Sequence, residues 1–266
     1  MSEQSLFATL RPDSRVWAVA AIHGEVDRLR DLHRQLLSEF QPGDQLVYLG
    51  NYSGRGAAVL ETINELLLFR RFVISHPGVE VEDVIFLRGG QEEMFHKLLQ
   101  LQLAPNPQQV LQWMVGQGIE PTVEAYGHKI SEAILSARDG ILSLTKWTSA
   151  LRNAIRAHDG HTALTSALRH AAFTDGGGLL LVHAGLDPQR PLLAQSDSFW
   201  WGGAGFPAIE EPYENFTRIL RGFDRRQGGL QEGPITMTLD GGCGFGGPLV
   251  AACLTSSGEL VKTLSA

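Results

Sequence analysis

Three times within the first hundred residues an apolar β-type run closes on a polar or glycine-bearing turn and passes into a stretch with helical spacing. That alternation restricts the chain to an α/β layered core. Val16 to Ile22 leads into Glu25 to Phe40, where Val26, Leu29, Leu32, Leu36 and Leu37 recur at helical intervals. Gln45 to Leu49, closed by Gly50, leads into Ala57 to Phe72, with Leu60, Ile63, Leu67 and Leu68 expected on one face. Val84 to Leu87, broken by Gly89 and Gly90, leads into Glu92 to Leu103. From Pro105 to about Ala172 the pattern is helical, and Trp113, Ile134, Leu142, Trp147, Leu151, Ile155 and Leu164 are its expected core. This segment reads as a helical cap inserted into one domain spanning residues 1–266. Strand character returns at Gly178 to Val182, then at Arg218 to Phe223, Ile235 to Leu239, Leu249 to Leu254 and Leu260 to Leu264.

Several function classes are excluded early. A formal charge of −7 argues against nucleic acid as a partner, because neutralising phosphates takes a clustered basic excess. No apolar run approaches the roughly 20 residues of a membrane span, and Cys243 and Cys253 match no metal-finger spacing. Both cysteines read as packing thiols, and the expected location is cytoplasmic.

The turns after the strands carry the chemistry. Ala20-Ala21-Ile22-His23-Gly24 follows the first strand, and Gly50-Asn51-Tyr52-Ser53-Gly54-Arg55-Gly56 the second. Leu87-Arg88-Gly89-Gly90-Gln91-Glu92-Glu93-Met94 follows the third, and Val182-His183-Ala184-Gly185-Leu186-Asp187-Pro188 a fourth. In open α/β sheets ligand residues gather at strand carboxyl ends, so these four turns mark one site. Their order and wording resemble the motifs of the calcineurin-like metallophosphoesterases, in the bacterial diadenosine-tetraphosphatase and phosphoprotein-phosphatase branch. Those motifs run G-D-x-H-G, G-D-x-x-D-R-G, L-R-G-N-H-E-E-M and V-H-A-G-L-x-P. The resemblance covers roughly residues 16 to 264. It implies a layered β-sandwich flanked by helices.

It also implies what has changed. The position of the first motif's Asp holds Ala21, and that of the metal-bridging Asp holds Asn51. Gly90 replaces the Asn ligand, Gln91 the general-acid His, and Phe223 a late His ligand. His23 and His183 survive. A pair of divalent ions needs charged oxygen ligands, and none is left at the matched positions. A single transition ion on His23, Asn51 and His183 would need a third strong donor such as Glu25 or Asp240. Gln91 delivers no proton at neutral pH. The expectation is therefore a pseudophosphatase with a vestigial site of His23, Asn51, Arg55, Gln91 and His183, no resident metal, and a binding, regulatory or scaffold role. The alternative is an active phosphoesterase with a rebuilt manganese or zinc site.

Arg55 and Arg88, with His23 and His183 protonated below neutral pH, are the candidate anion-binding groups. A phosphate-like anion, a protein partner or a second copy of the chain are the expected partners. Three further features have bland readings. His158 and His161, with His170 nearby, are taken as solvated rather than metal-binding. Gly241 to Gly247 lacks the helix and Lys-Ser/Thr of a phosphate loop, and the resemblance implies a tight turn between strands there. Phe199, Trp200, Trp201 and Phe206 are taken as core.

Overall fold

The structure, a computed structural model, describes residues 6–203 and 205–266. The first layer is a sheet ordered β11-β10-β2-β3-β4. It comprises β2 (Val16–Val19), β3 (Gln45–Tyr48), β4 (Val84–Phe86), β10 (Val250–Leu254) and β11 (Leu260–Ser265). The second sheet is ordered β1-β5-β6-β7-β9-β8. Its strands are β1 (Phe7–Leu10), β5 (Ala171–Thr174), β6 (Gly178–Val182), β7 (Phe216–Arg221), β8 (Gln231–Glu232) and β9 (Thr236–Thr238). A mixed α/β sandwich is what the alternation dictates.

The strands' side chains explain the layering. In β2, Val16 and Ala18 face a core shared with Leu179 and Leu181 of the opposite sheet, while Trp17 and Val19 face the helices. Both faces are buried, which is why the run reads as continuously apolar. Helices α1 (Val26–Glu39) and α2 (Val59–Ile74) cover the outer face of the first sheet. Leu36 is buried and Leu37 exposed in α1; in α2, Leu66 is buried and Leu68 exposed. Adjacent leucines left the helical phase ambiguous: Leu36 is buried as expected, whereas Leu37 and Leu68 fall outside the buried face and Leu66 takes the place expected of Leu68. The outer face of the second sheet is covered by an aromatic group that includes Phe199, Trp200 and Phe206.

The third crossover helix, α3 (Gly90–Leu98), starts two residues before the expected Glu92 and stops short of Leu103. It opens into α4 (Pro107–Gly116), α5 (Glu120–Ala125), α6 (Ile130–Asp139), α7 (Ile141–Arg156) and α8 (His161–Ala167). Helices α4 to α7 pack their own core on α3, with Trp147, Leu151 and Ile155 buried in it, whereas α8 buries Leu164 in the core beneath α2. Trp113, Ile134 and Leu142 are exposed, Leu142 at 78%. The helical stretch ends before Ala171, because residues 171–174 form β5 between β1 and β6. Among the described residues no helix is long and apolar enough to cross a membrane.

Two bonds across the sheets, and one that extends the β6–β7 ladder between them, join the strand ends. Ala21 N–H donates to the Gly222 carbonyl at 3.0 Å, Gly222 N–H to the His183 carbonyl at 2.9 Å, and His183 Nδ1 meets the Leu49 carbonyl at 2.6 Å. Because β2, β3 and β4 run parallel, and β6, β7 and β9 likewise, their following turns converge here.

Candidate functional site

The second turn is organised by a carboxylate. Glu92, buried at the start of α3, accepts the N–H groups of Asn51, Tyr52 and Gly89 at 2.8 to 2.9 Å, with Ser53 N at 3.4 Å. Burial pushes its carboxyl up from the ordinary range, against these backbone donors, which pull it down. Asn51 Oδ1 accepts the Gln91 N–H at 2.9 Å, and Asn51 Nδ2 lies 3.3 Å from His23 Nε2. His23, Asn51 and Arg55 all have left-handed backbones, with φ of 56°, 55° and 48°. Such conformations in non-glycine residues cluster at functional sites, where surrounding contacts hold them. Gly50, at φ 95°, has no room for a side chain: a Cβ would lie 2.6 Å from Gly89 N and 2.9 Å from His183 Nδ1.

These turns line one cavity of about 310 Å³ that includes His23, Asn51, Arg55, Gly90, Gln91 and Phe223. His183 lies behind it, its ring stacked on Phe223 with centroids 5.4 Å apart and planes 5° from parallel. Phe223 also meets His23 at 5.5 Å, so the residue matched to the late His does reach the site. Arg88 does not. It pairs with Glu93 at 3.0 Å and lines a different cavity, which removes it from the expected anion site.

The cavity has members that the motifs did not name. The glycine-rich segment after β9 turns tightly, as expected, with Phe245 and Gly247 N–H both reaching the Gly242 carbonyl. It carries the Phe245 ring to 5.4 Å from His23, and the Arg55 guanidinium lies 4.1 Å over that ring. Arg225, Gln227 and Gln117 complete the wall, Gln117 from the end of α4. None carried a sequence signal, because each depends on loop placement.

Neighbouring side chains close in on two glycines of the site. A Cβ on Gly54 would lie 2.5 Å from the Gln91 amide carbon, and one on Gly90 would lie 2.9 Å from the Trp201 ring and the Trp200 carbonyl. Gln91 donates from Nε2 to the Gln117 carbonyl at 2.9 Å, which fixes it there. Phe199, Trp200 and Phe206 are buried as expected, whereas Trp201 is only half-buried and faces the cavity.

The charged groups that line the cavity are basic. The lining holds Arg55 and Arg225 and no carboxylate, and neither arginine forms an ion pair among the described residues. The nearest acids are engaged elsewhere. Asp224 pairs with Arg221 at 2.9 Å, and Asp240 accepts the N–H groups of Asp224 and Gly242 at 2.9 Å. Among the described residues no three His, Cys, Asp or Glu side chains converge as metal ligands, so neither Glu25 nor Asp240 joins His23 and His183. The donor set does not fit a pair of divalent cations.

The histidines also depart from expectation. Burial, then the neighbouring His183 and Arg55, push His23 down to about 3, and burial pushes His183 down to about 4. Neither becomes cationic just below neutral pH, so the expected histidine contribution to anion binding is withdrawn. His161 is not solvated either: it is buried between Tyr126 Oη at 2.8 Å and Asn64 Oδ1 at 3.1 Å.

Two packed mixed sheets, helices outside and a rim of turns at their joined carboxyl ends define the metallophosphoesterase-type fold. Among solved structures, a protein described as a candidate diadenosine tetraphosphatase matches 97% of this chain and 97% of its own, with a TM-score of 0.60 at 22% identity. A Saccharomyces cerevisiae serine/threonine phosphatase with similarity to human phosphatase PP5 matches 98% of this chain and 84% of its own, at a TM-score of 0.54 and 16% identity. A cold-active protein-tyrosine phosphatase of a psychrophilic Shewanella species matches 100% and 84%, at 0.55 and 13%. At these identities the likeness is one of fold. No protein-family model and no curated protein sequence matches the chain.

Proposed function

We propose that this protein is a binding or regulatory protein built on a phosphoesterase fold, catalytically impaired for the two-metal route, whose pocket receives a phosphate-like anion. The observation that carries the reading is the lining itself: Arg55 and Arg225 without a carboxylate. Two-metal hydrolysis needs carboxylates to hold and bridge the ions and to set the attacking water's pKa near 7. A site with unpaired guanidinium groups and no acid has the opposite charge preference. It attracts the anion without activating a nucleophile, and Gln91 at the acid position cannot protonate a leaving group.

Supplementing the purified protein with manganese or zinc, then measuring bound metal and hydrolysis of p-nitrophenyl phosphate and diadenosine tetraphosphate, tests this directly. The expected result is less than one equivalent of metal and no metal-dependent turnover. Two bound equivalents with turnover on the order of 1 s⁻¹ would establish the other reading, an active phosphoesterase with a rebuilt site.

A further inference from the structure

A second cavity, of about 430 Å³, lies between the sheet-and-helix core and the helical insertion. Its size falls in the range of small-molecule sites. Ile63 and Leu164 from the core side and Phe95, Leu99, Tyr126 and Ile155 from the insertion side make most of its wall apolar. A purely apolar void would be a packing defect, but this one has a charge pattern. Arg152 and Arg156, one turn apart on α7, both line it with Ile155 between them.

Neither arginine forms an ion pair among the described residues. Arg152 donates to the Leu99 carbonyl and to Ser149 Oγ, and among the described residues exposed Arg156 reaches only Asn153 Oδ1 at 3.5 Å. Each guanidinium has five N–H donors, so most are free. Of the other charges in the lining, Arg88 is paired with Glu93, and the one Glu92 carboxylate is held by the N–H groups of the second turn, which leaves two α7 guanidinium groups against a single acid. The unneutralised charge facing the cavity is therefore positive and comes from α7.

We propose that this cavity is a binding site for an amphiphilic anion, an alkyl or aryl chain ending in one carboxylate, with the chain against Phe95, Leu99 and Ile155 and the head group on Arg152 and Arg156. Apolar burial supplies affinity in proportion to the chain surface removed from water, and the paired guanidinium groups select a charged oxygen head over a neutral one. The site is separate from the Arg55 pocket and does not depend on the function proposed for it.

Calorimetric titration of the full-length protein with decanoate, and with decanol as the neutral counterpart, tests the proposal. Decanoate is expected to bind about tenfold or more tightly than decanol, a preference that charge-assisted bonds to guanidinium supply. The double variant Arg152→Gln/Arg156→Gln should remove that preference. Because Arg152 also braces the Leu99 carbonyl, Arg156→Gln alone serves as the variant least able to disturb folding, and it should weaken decanoate binding severalfold. Arg55→Ala should leave it unchanged. No binding of decanoate, equal binding of decanol, insensitivity to both α7 variants, or loss of binding in Arg55→Ala would each overturn the assignment.

Discussion

The Gln91 amide carbon lies 2.5 Å from where a side chain on Gly54 would begin. In the resemblance, Gly54 aligns with the second acid of G-D-x-x-D-R-G and Gln91 with the histidine of L-R-G-N-H-E-E-M, so the two aligned positions compete for one volume. Two positions that look independent in sequence are coupled in packing. Restoring the acid alone, Gly54→Asp, must therefore displace Gln91 while placing a side chain at φ 86°. It is expected to destabilise the fold by about 2 kcal/mol, as overpacking and left-handed strain do. In a Gln91→Ala background the cost should fall by half or more. Urea denaturation of the four proteins in a double-mutant cycle measures the coupling, and additive effects would mean that the two residues do not compete for space.

Gly90 and Trp201 stand in the same relationship, and it bears on any attempt to rebuild a metal centre. Changing Ala21→Asp, Asn51→Asp, Gly90→Asn, Gln91→His and Phe223→His returns the phosphoesterase ligands, yet an Asn at 90 would meet the Trp201 ring 2.9 Å from its Cβ. The fivefold variant is expected to bind manganese poorly, and adding Trp201→Ala should strengthen binding by about tenfold or more, since ligands act as a unit. Elemental analysis after dialysis reads the outcome. Equal metal content with and without Trp201→Ala would show that the indole does not block the site.

The alternating strands and helices were legible because β2 and β3 are buried on both faces and α1 carries a clear stripe. Four-residue β1 and β5 were not: FATL and AAFT are too short to show a period, and AAFT continues a helical stretch. The positions of His23, Asn51, Arg55, Gln91 and His183 followed from turns at strand ends, which is a local signal. The roles of Phe245, Arg225, Trp201 and Gln117 depend on long-range loop placement, which leaves no local signal. The depressed histidines were also hidden, because a pKa reflects burial that only the folded chain supplies.

That burial makes stability depend on pH. His23 and His183 are held near 3 and 4, whereas in the unfolded chain both titrate near 6.5. Between these values the unfolded state binds more protons, so stability is full above about pH 6.5 and falls as pH drops toward 4. At pH 5 the loss should be about 2 kcal/mol for each histidine. Thermal melts at pH 7 and pH 5 should show a lower midpoint at pH 5, and the difference should shrink in His183→Gln. An unchanged difference in that variant would place the sensitivity in other groups.

Arg55 offers a test that separates stability from binding. Its backbone sits at φ 48°, a conformation that costs an L-residue roughly 1 kcal/mol and costs glycine nothing. Arg55→Gly should therefore be about 1 kcal/mol more stable than Arg55→Ala, while both lose the guanidinium over Phe245 that is available to an anion. Burial lowers the Arg55 pKa from its ordinary value, yet arginine stays charged at physiological pH, and neither histidine of the site titrates between pH 6 and pH 8. Sulfate, whose own charge is constant over that range, should bind wild-type protein equally at both pH values and should bind both variants about tenfold more weakly. A glycine variant that retains sulfate affinity would show that the anion rests on Arg225 or on a different surface. A sulfate affinity that rises from pH 8 to pH 6 would show that a histidine in the pocket gains charge despite its burial.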